Sequence, residues 1–198
     1  MGSNISIGLV YRNQKTDIIT ELKNVTEFLL NKHGKINSVQ VSEDKEGEKW
    51  IKRVISNNED INSYYEELSK YFYGSIKMKV DLLKHDDLNL VLRVEKEEDG
   101  FGFLIDFNES EILSDYSLEE LDLITNAIIS LMESLRKISI FDYGFCDHEA
   151  EVEYFSDKEL LEEEVYSVVY LPYDMPFNGT AKIIRNKWHI DGVTARLS

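Results

Sequence analysis

Cysteine, proline, histidine and positive charge are all scarce in this chain, and each scarcity excludes something. Cys146 is the only cysteine, so neither an internal disulfide nor a cysteine-based zinc framework can form. Two prolines and ten glycines leave no room for a Pro/Gly-rich linker, and residues 1–198 read as a single α+β domain. No apolar run approaches the roughly 20 residues needed to span a bilayer, and no basic stretch leads into an apolar one as in a secretory signal. A cytoplasmic protein without a membrane partner is therefore expected. The opening MGSNIS has the spacing of a myristoylation acceptor, a pattern too short to carry weight by itself. Against 38 acidic residues there are only 22 basic ones, a net charge of −16. Such a field repels phosphate backbones and anionic lipid and attracts basic partners, so direct nucleic-acid binding is disfavoured.

Catalytic signatures are missing too. Gly100-Phe101-Gly102 lacks the third glycine and the strand-to-helix setting of a dinucleotide loop, and reads better as a hairpin turn. P-loop, H-E-x-x-H and G-x-S-x-G motifs are absent, and His33, His85, His148 and His189 are scattered without ligand spacing. No catalytic residue, metal site or cofactor is assigned.

What the chain does contain is patterning. Ile5, Ile7 and Leu9 alternate in a first strand, and a helix over about 17–33 carries Ile18, Leu22, Val25 and Leu29 on one stripe. A short strand over 36–41, a short helix near Trp50–Ile55 and a better helix over about 59–73 follow. Ile76, Met78, Val80 and Leu82, then Leu90, Leu92 and Val94, then Phe101, Phe103, Ile105 and Phe107 alternate with polar residues. Turn chemistry separates these runs, so a three-stranded antiparallel meander is expected over about 75–108. Ser117 and Glu120 have capping-box spacing ahead of the longest helix, to about Ile138. Strands near 143–154, 165–171 and 181–185 complete a single-domain α+β sandwich, a mostly antiparallel sheet with helices packed on one face.

Residues 145–155, FCDHEAEVEYF, bring a thiol, an imidazole and carboxylates together in sequence. On a strand, side chains alternate between faces, which sets Asp147, Glu149, Glu151 and Glu153 on one side. Cys146, His148, Ala150, Val152 and Tyr154 fall on the other. Same-face neighbours lie about 6.5–7 Å apart, so two carboxylates could only just lean onto one ion. A reactive cysteine needs electropositive surroundings, and Cys146 sits in the most acidic stretch of the chain. The row can be a solvated face, a partner-binding face or, least of the three, a metal site. The acidity also continues: residues 147–164 hold nine acidic groups and one lysine, −8 in eighteen residues and half of the whole net charge. The candidate partner-binding set is Asp147, Glu149, Glu151, Glu153, Asp157, Glu159, Glu162, Glu163 and Glu164, with Tyr154, Phe155 and Tyr166 as aromatic neighbours.

The stretches YGFCDHEAEVEYF and GFGFLIDFNESEIL, in a small acidic α+β chain, resemble those of bacterial immunity proteins from polymorphic-toxin and contact-inhibition systems. That resemblance implies a cytoplasmic, non-catalytic protein that binds and neutralises a cognate toxin. It also implies a basic toxin domain such as a nuclease, blocked at its active site or at a nearby exosite. A non-catalytic adaptor or structural subunit is the alternative. A carboxylate-metal hydrolase using residues 147–153 with His148 or His85 is a more distant one.

Overall fold

A computed structural model describes residues 3–12, 16–44, 47–55, 61–97, 100–173 and 181–196. Among them, nine strands form one antiparallel sheet: β1 (Asn4–Tyr11), β2 (Lys35–Ser42), β3 (Trp50–Val54), β4 (Tyr73–Leu82), β5 (His85–Lys96), β6 (Phe101–Asn108), β7 (Tyr143–His148), β8 (Val168–Pro172) and β9 (Ala181–Arg185). Their spatial order is β3-β2-β4-β5-β6-β1-β7-β8-β9. The helices are α1 (Ile18–Leu30), α2 (Asn62–Lys70), α3 (Glu109–Ile112), α4 (Leu118–Arg136) and α5 (Asp157–Glu162). None of them is long and apolar enough to cross a membrane.

The two faces of the sheet differ because the registered strands keep the same two-residue alternation from one edge to the other. One face presents Val39, Ile76, Leu92, Ile105 and Ile7 as a cross-strand row. It forms the larger core with Leu22, Val25 and Leu29 of α1, Tyr65 and Leu68 of α2, and the inner side of α4. The helical spacing of those apolar residues makes α1 and α4 one-sided, and burying that side against the sheet stabilises both. Asp17 starts α1 by accepting the Thr20 N–H at 3.1 Å. The opposite face is apolar only over one half, where Phe145, Val169 and Ile184 pack with Val10, Leu104 and Tyr166 into a second core. Segment 150–155 and Leu160 of α5 cover that half. Helical elements thus lie on both faces.

Three elements differ from the sequence expectation. Trp50–Val54 is an edge strand rather than a short helix. Five residues are too few to stabilise a lone helical turn, whereas β2 offers a ready ladder, with Ser42 opposite Trp50 and Ser38 opposite Val54. α5 is an additional helix, in which Ser156 and Glu159 cap one another reciprocally and Leu160 follows on the buried side. The strand expected over 143–154 stops at His148. The expected turn at 176–180 and the start of the second helix at 59–60 lie outside the described residues.

The start of α4 also departs from a simple capping box. Ser117 accepts the Glu120 N–H at 3.2 Å, but Glu120 does not reach back to Ser117. Its carboxylate accepts the N–H groups of Ser114, Asp115 and Tyr116 at 2.8, 2.9 and 2.9 Å. The Ser114 hydroxyl leads the hydrogen bonds that hold its carboxyl down at about 2. A depressed folded pKa supplies stability above the unfolded value of 4.5, lost as pH falls through about 2. Glu120→Gln is expected to lower stability at pH 7 by about 1 kcal/mol. Its deficit against the wild type should shrink between pH 5 and pH 2 in urea titrations.

Candidate functional site

The carboxylates of 147–164 end up in two settings. Asp147, still on β7, is half-buried: the Trp188 indole N–H donates to it at 3.0 Å and the Ser167 N–H at 3.0 Å. Burial pushes its carboxyl up, and the Trp188 bond opposes this. It ties the C-terminal segment to β7. Glu149 then takes a left-handed backbone conformation, φ 46°, while its N–H bonds to the Asn4 carbonyl at 2.8 Å. From this point the chain leaves β7 and folds across the second face of the sheet. Glu149, Glu151, Glu153, Asp157, Glu159, Glu162, Glu163 and Glu164 are all exposed.

Beneath them, Ala150, Val152 and Tyr154 point inward into the second core. The alternation expected from the sequence survives, but on the other side of the sheet from Cys146, which lies in the helix-side core. A single left-handed residue at Glu149 separates the two sets. The aromatic neighbours serve the same packing. Tyr166 is stacked on Phe145 with ring centroids 3.8 Å apart, Phe155 meets Tyr166 edge-on at 5.8 Å, and the Tyr166 hydroxyl donates to the Glu151 carbonyl at 3.1 Å. They support the acidic surface from below. Three of its carboxylates already have cationic neighbours: Asp157 pairs with Arg12 at 2.6 Å, Glu164 with Lys187 at 2.9 Å and Glu162 with Lys158 at 3.8 Å. These pairs are exposed and weak.

Arg93 on β5 anchors the segment to the sheet. Its guanidinium donates to Asp106 at 2.5 Å, to Glu95 at 2.7 Å and to the Ala150 carbonyl at 3.2 Å. Asp106 also accepts the hydroxyl proton of Ser6 at 2.7 Å, and Glu95 accepts the Val152 N–H. Burial pushes the Glu95 carboxyl up, opposed by Arg93. Gly102 makes the close approach possible, because a Cβ there would lie 2.6 Å from Val152. That role, more than a turn, explains the second glycine of Gly100-Phe101-Gly102. Sequence reasoning missed the clamp; the visible signal was an arginine on the polar side of one strand and Asp106 on the polar side of the next.

Beside the clamp, no described element covers the face over β2–β5, which forms an open groove of about 1250 Å³. One cross-strand row of its floor runs Lys52, Gln40, Ser75, Arg93, and the next runs Val54, Ser38, Lys77, Val91, Asp106, Ser6. Trp50, Lys52 and Val54 of β3 stand along one margin, and Glu149, Glu151 and Val152 along the other.

Thiol and imidazole chemistry finds little support here. Cys146 is fully buried, and burial pushes its thiol well up, away from the nucleophilic thiolate. His148 lies 3.7 Å from Glu109, which also accepts a hydrogen bond from Ser3. Asp106, Glu109 and Glu111, neighbours at a strand end in sequence, diverge: Asp106 turns to Arg93, Glu109 to Ser3 and Glu111 to Asn89. Among the described residues, no three His, Cys, Asp or Glu side chains gather as a metal-binding group.

The family model of immunity protein 64 matches residues 1–196. The chain belongs to the immunity protein 64 family. As an immunity protein, it neutralises a toxin, and that toxin is its partner. Solved structures of similar shape include a complex of the toxic C-terminal tip of CdiA from Pseudomonas aeruginosa with its immune protein. That likeness has 13% identity and a TM-score of 0.48, covering 75% of this chain and 88% of the other. A T6SS protein of Pseudomonas aeruginosa is similar at 7% identity and a TM-score of 0.38, covering 74% of this chain and 41% of that one. No curated protein matches the immunity protein in sequence.

Proposed function

We propose that this immunity protein acts in the cytoplasm as one α+β domain, without catalysis, by forming a 1:1 complex with a basic toxin domain such as a nuclease. The observation that carries this reading is the run of eight exposed carboxylates from Glu149 to Glu164, held out from the sheet by a packed apolar underside. A surface of one sign on a chain of net charge −16 accelerates encounter with a cationic partner. It competes for the same field that a nuclease uses to attract phosphate. Asp147, Tyr154, Phe155 and Tyr166 hold this surface in place, and the exposed glutamates and Asp157 make the contact.

Binding kinetics with the toxin domain encoded beside this chain provide the test. The association rate is expected to fall roughly tenfold between 50 and 500 mM salt. The triple charge reversal Glu162→Lys/Glu163→Lys/Glu164→Lys, which spares the Ser156–Glu159 cap of α5, should slow association to a similar degree and flatten that salt dependence. All three residues are exposed, so the fold should tolerate the change. Unchanged association and unchanged salt dependence in the triple variant would rule out the acidic surface.

A further inference from the structure

The uncovered half-face of the sheet is built differently from its neighbour. Over β7–β9 the face is apolar and is covered by the chain's own segment 150–165. Over β2–β5 and the Asp106 end of β6 the cross-strand rows are mostly polar, and among the described residues only the edge of segment 149–152 reaches them, at one margin. Three strand spacings separate β3 from β5, roughly 14 Å, wider than a helix with its side chains at about 10–12 Å. At about 1250 Å³ the groove exceeds the usual range of small-molecule pockets, roughly 300–1,000 Å³, and it is open along its length. Its dimensions suit a polypeptide element.

Charge across the groove is polarised. Lys52 and Lys77 lie toward the β3 margin, while Glu95, Asp106, Glu149 and Glu151 lie toward the other. Arg93 is already committed to Asp106, Glu95 and Ala150, so it neutralises the floor without reversing the outer carboxylates. The floor also holds a polar group short of a partner: Ser75, 3% exposed, whose buried hydroxyl makes no hydrogen bond. Trp50, 46% exposed, and Val54, 75% exposed, add an apolar margin on the lysine side.

We infer that this groove seats one helix-sized element of the toxin, with its cationic end against Glu149 and Glu151 and an apolar side chain against Trp50 and Val54. The inference rests on the proposed toxin-binding reading and adds where the complex is held together. The outer carboxylates of α5 govern encounter, and the groove governs residence. Buried contact in a concavity controls dissociation, whereas rim charge controls association.

Val91 sits mid-floor, opposite Lys77 on β4 and Asp106 on β6, and is partly exposed. Val91→Trp fills the groove without altering charge. With the toxin domain encoded beside this chain as the probe, it should weaken affinity roughly 50-fold, mostly through faster dissociation. The α5 triple reversal should leave dissociation within about twofold. Amine labelling read by mass spectrometry supplies a second measurement: complex formation should protect Lys52 and Lys77 but leave Lys32, exposed just after α1 on the helix side of the sheet, labelled. Should Val91→Trp fail to fold, as judged by circular dichroism, the labelling decides. Unchanged affinity in a folded Val91→Trp, or unprotected Lys52 and Lys77, overturns the groove even if the α5 variant behaves as expected. Loss of affinity in Val91→Trp alone, with the α5 variant unaffected, keeps the groove and removes the outer acidic surface. Indifference of both variants removes both.

Discussion

Arg93→Met is expected to lower the free energy of unfolding by about 3 kcal/mol, the low end of the range for breaking a buried ion pair. The value sits at that end because the Arg93 side chain is 32% exposed, and solvent screens part of its charge. Asp106, with its side chain only 7% exposed, is left without its cationic partner, and only the Ser6 hydroxyl remains to it. Glu95, which burial already pushes toward the neutral form, loses the charge that opposes that push. The substitution also releases the Ala150 carbonyl, one of two direct ties between segment 150–152 and β5. Urea denaturation should report the lost stability, and limited proteolysis should show new cleavage within residues 149–156. Asp106→Asn in the same chain should restore a substantial part, because it removes the stranded charge and keeps an acceptor for Ser6. A double variant no more stable than Arg93→Met would show that the ion pair is not the source of the effect.

Gly8→Val should have an effect of similar size, about 3 kcal/mol, for a steric reason. Gly8 on β1 pairs directly with Phe145 on β7, and the phenyl ring lies over the glycine. A Cβ at Gly8 would be 2.1 Å from two ring carbons of Phe145. The ring cannot retreat, because Phe145 is fully buried and stacked face to face on Tyr166, with planes 4° apart. Displacing it would disturb the second core and the acidic segment that this core supports. Gly8→Val/Phe145→Ala is the informative partner experiment. Thermal and urea unfolding of the four-member cycle should show the double variant more stable than the sum of the singles implies, by more than 1 kcal/mol. Additivity would mean that Phe145 is not the obstacle.

Much of the fold is legible in local pattern. The alternation at Ile76–Leu82, Leu90–Val94 and Phe101–Phe107 marks strands β4, β5 and β6, and these pair in sequence order. The helical stripe at Leu22, Val25 and Leu29 marks α1, and Ser117 marks the start of α4. These signals are readable because they depend on residues within one turn or one strand of each other. The acidic run of 147–164 is likewise a property of the sequence, and its concentration of charge stands whatever the fold does with it.

Pairing between distant segments decided the rest. β1 lies between β6 and β7, a placement that no local periodicity encodes. β7 ends at His148 because its partners run out: His148 pairs with Ile5 near the start of β1, and β8 reaches only as far as Cys146. A strand persists only while a neighbour satisfies its backbone groups, so FCDHEAEVEYF is a strand for four residues and a covering segment thereafter. Composition and spacing determined that Glu149, Glu151 and Glu153 would be exposed together and that Ala150, Val152 and Tyr154 would share the packed side, Ala150 buried and the other two partly so. Only the tertiary structure decided which face of the sheet receives the apolar set. It also joined Arg93 to Asp106 and set a polar face that no described element covers beside the carboxylates, because side chains far apart along the chain meet only through the strand order.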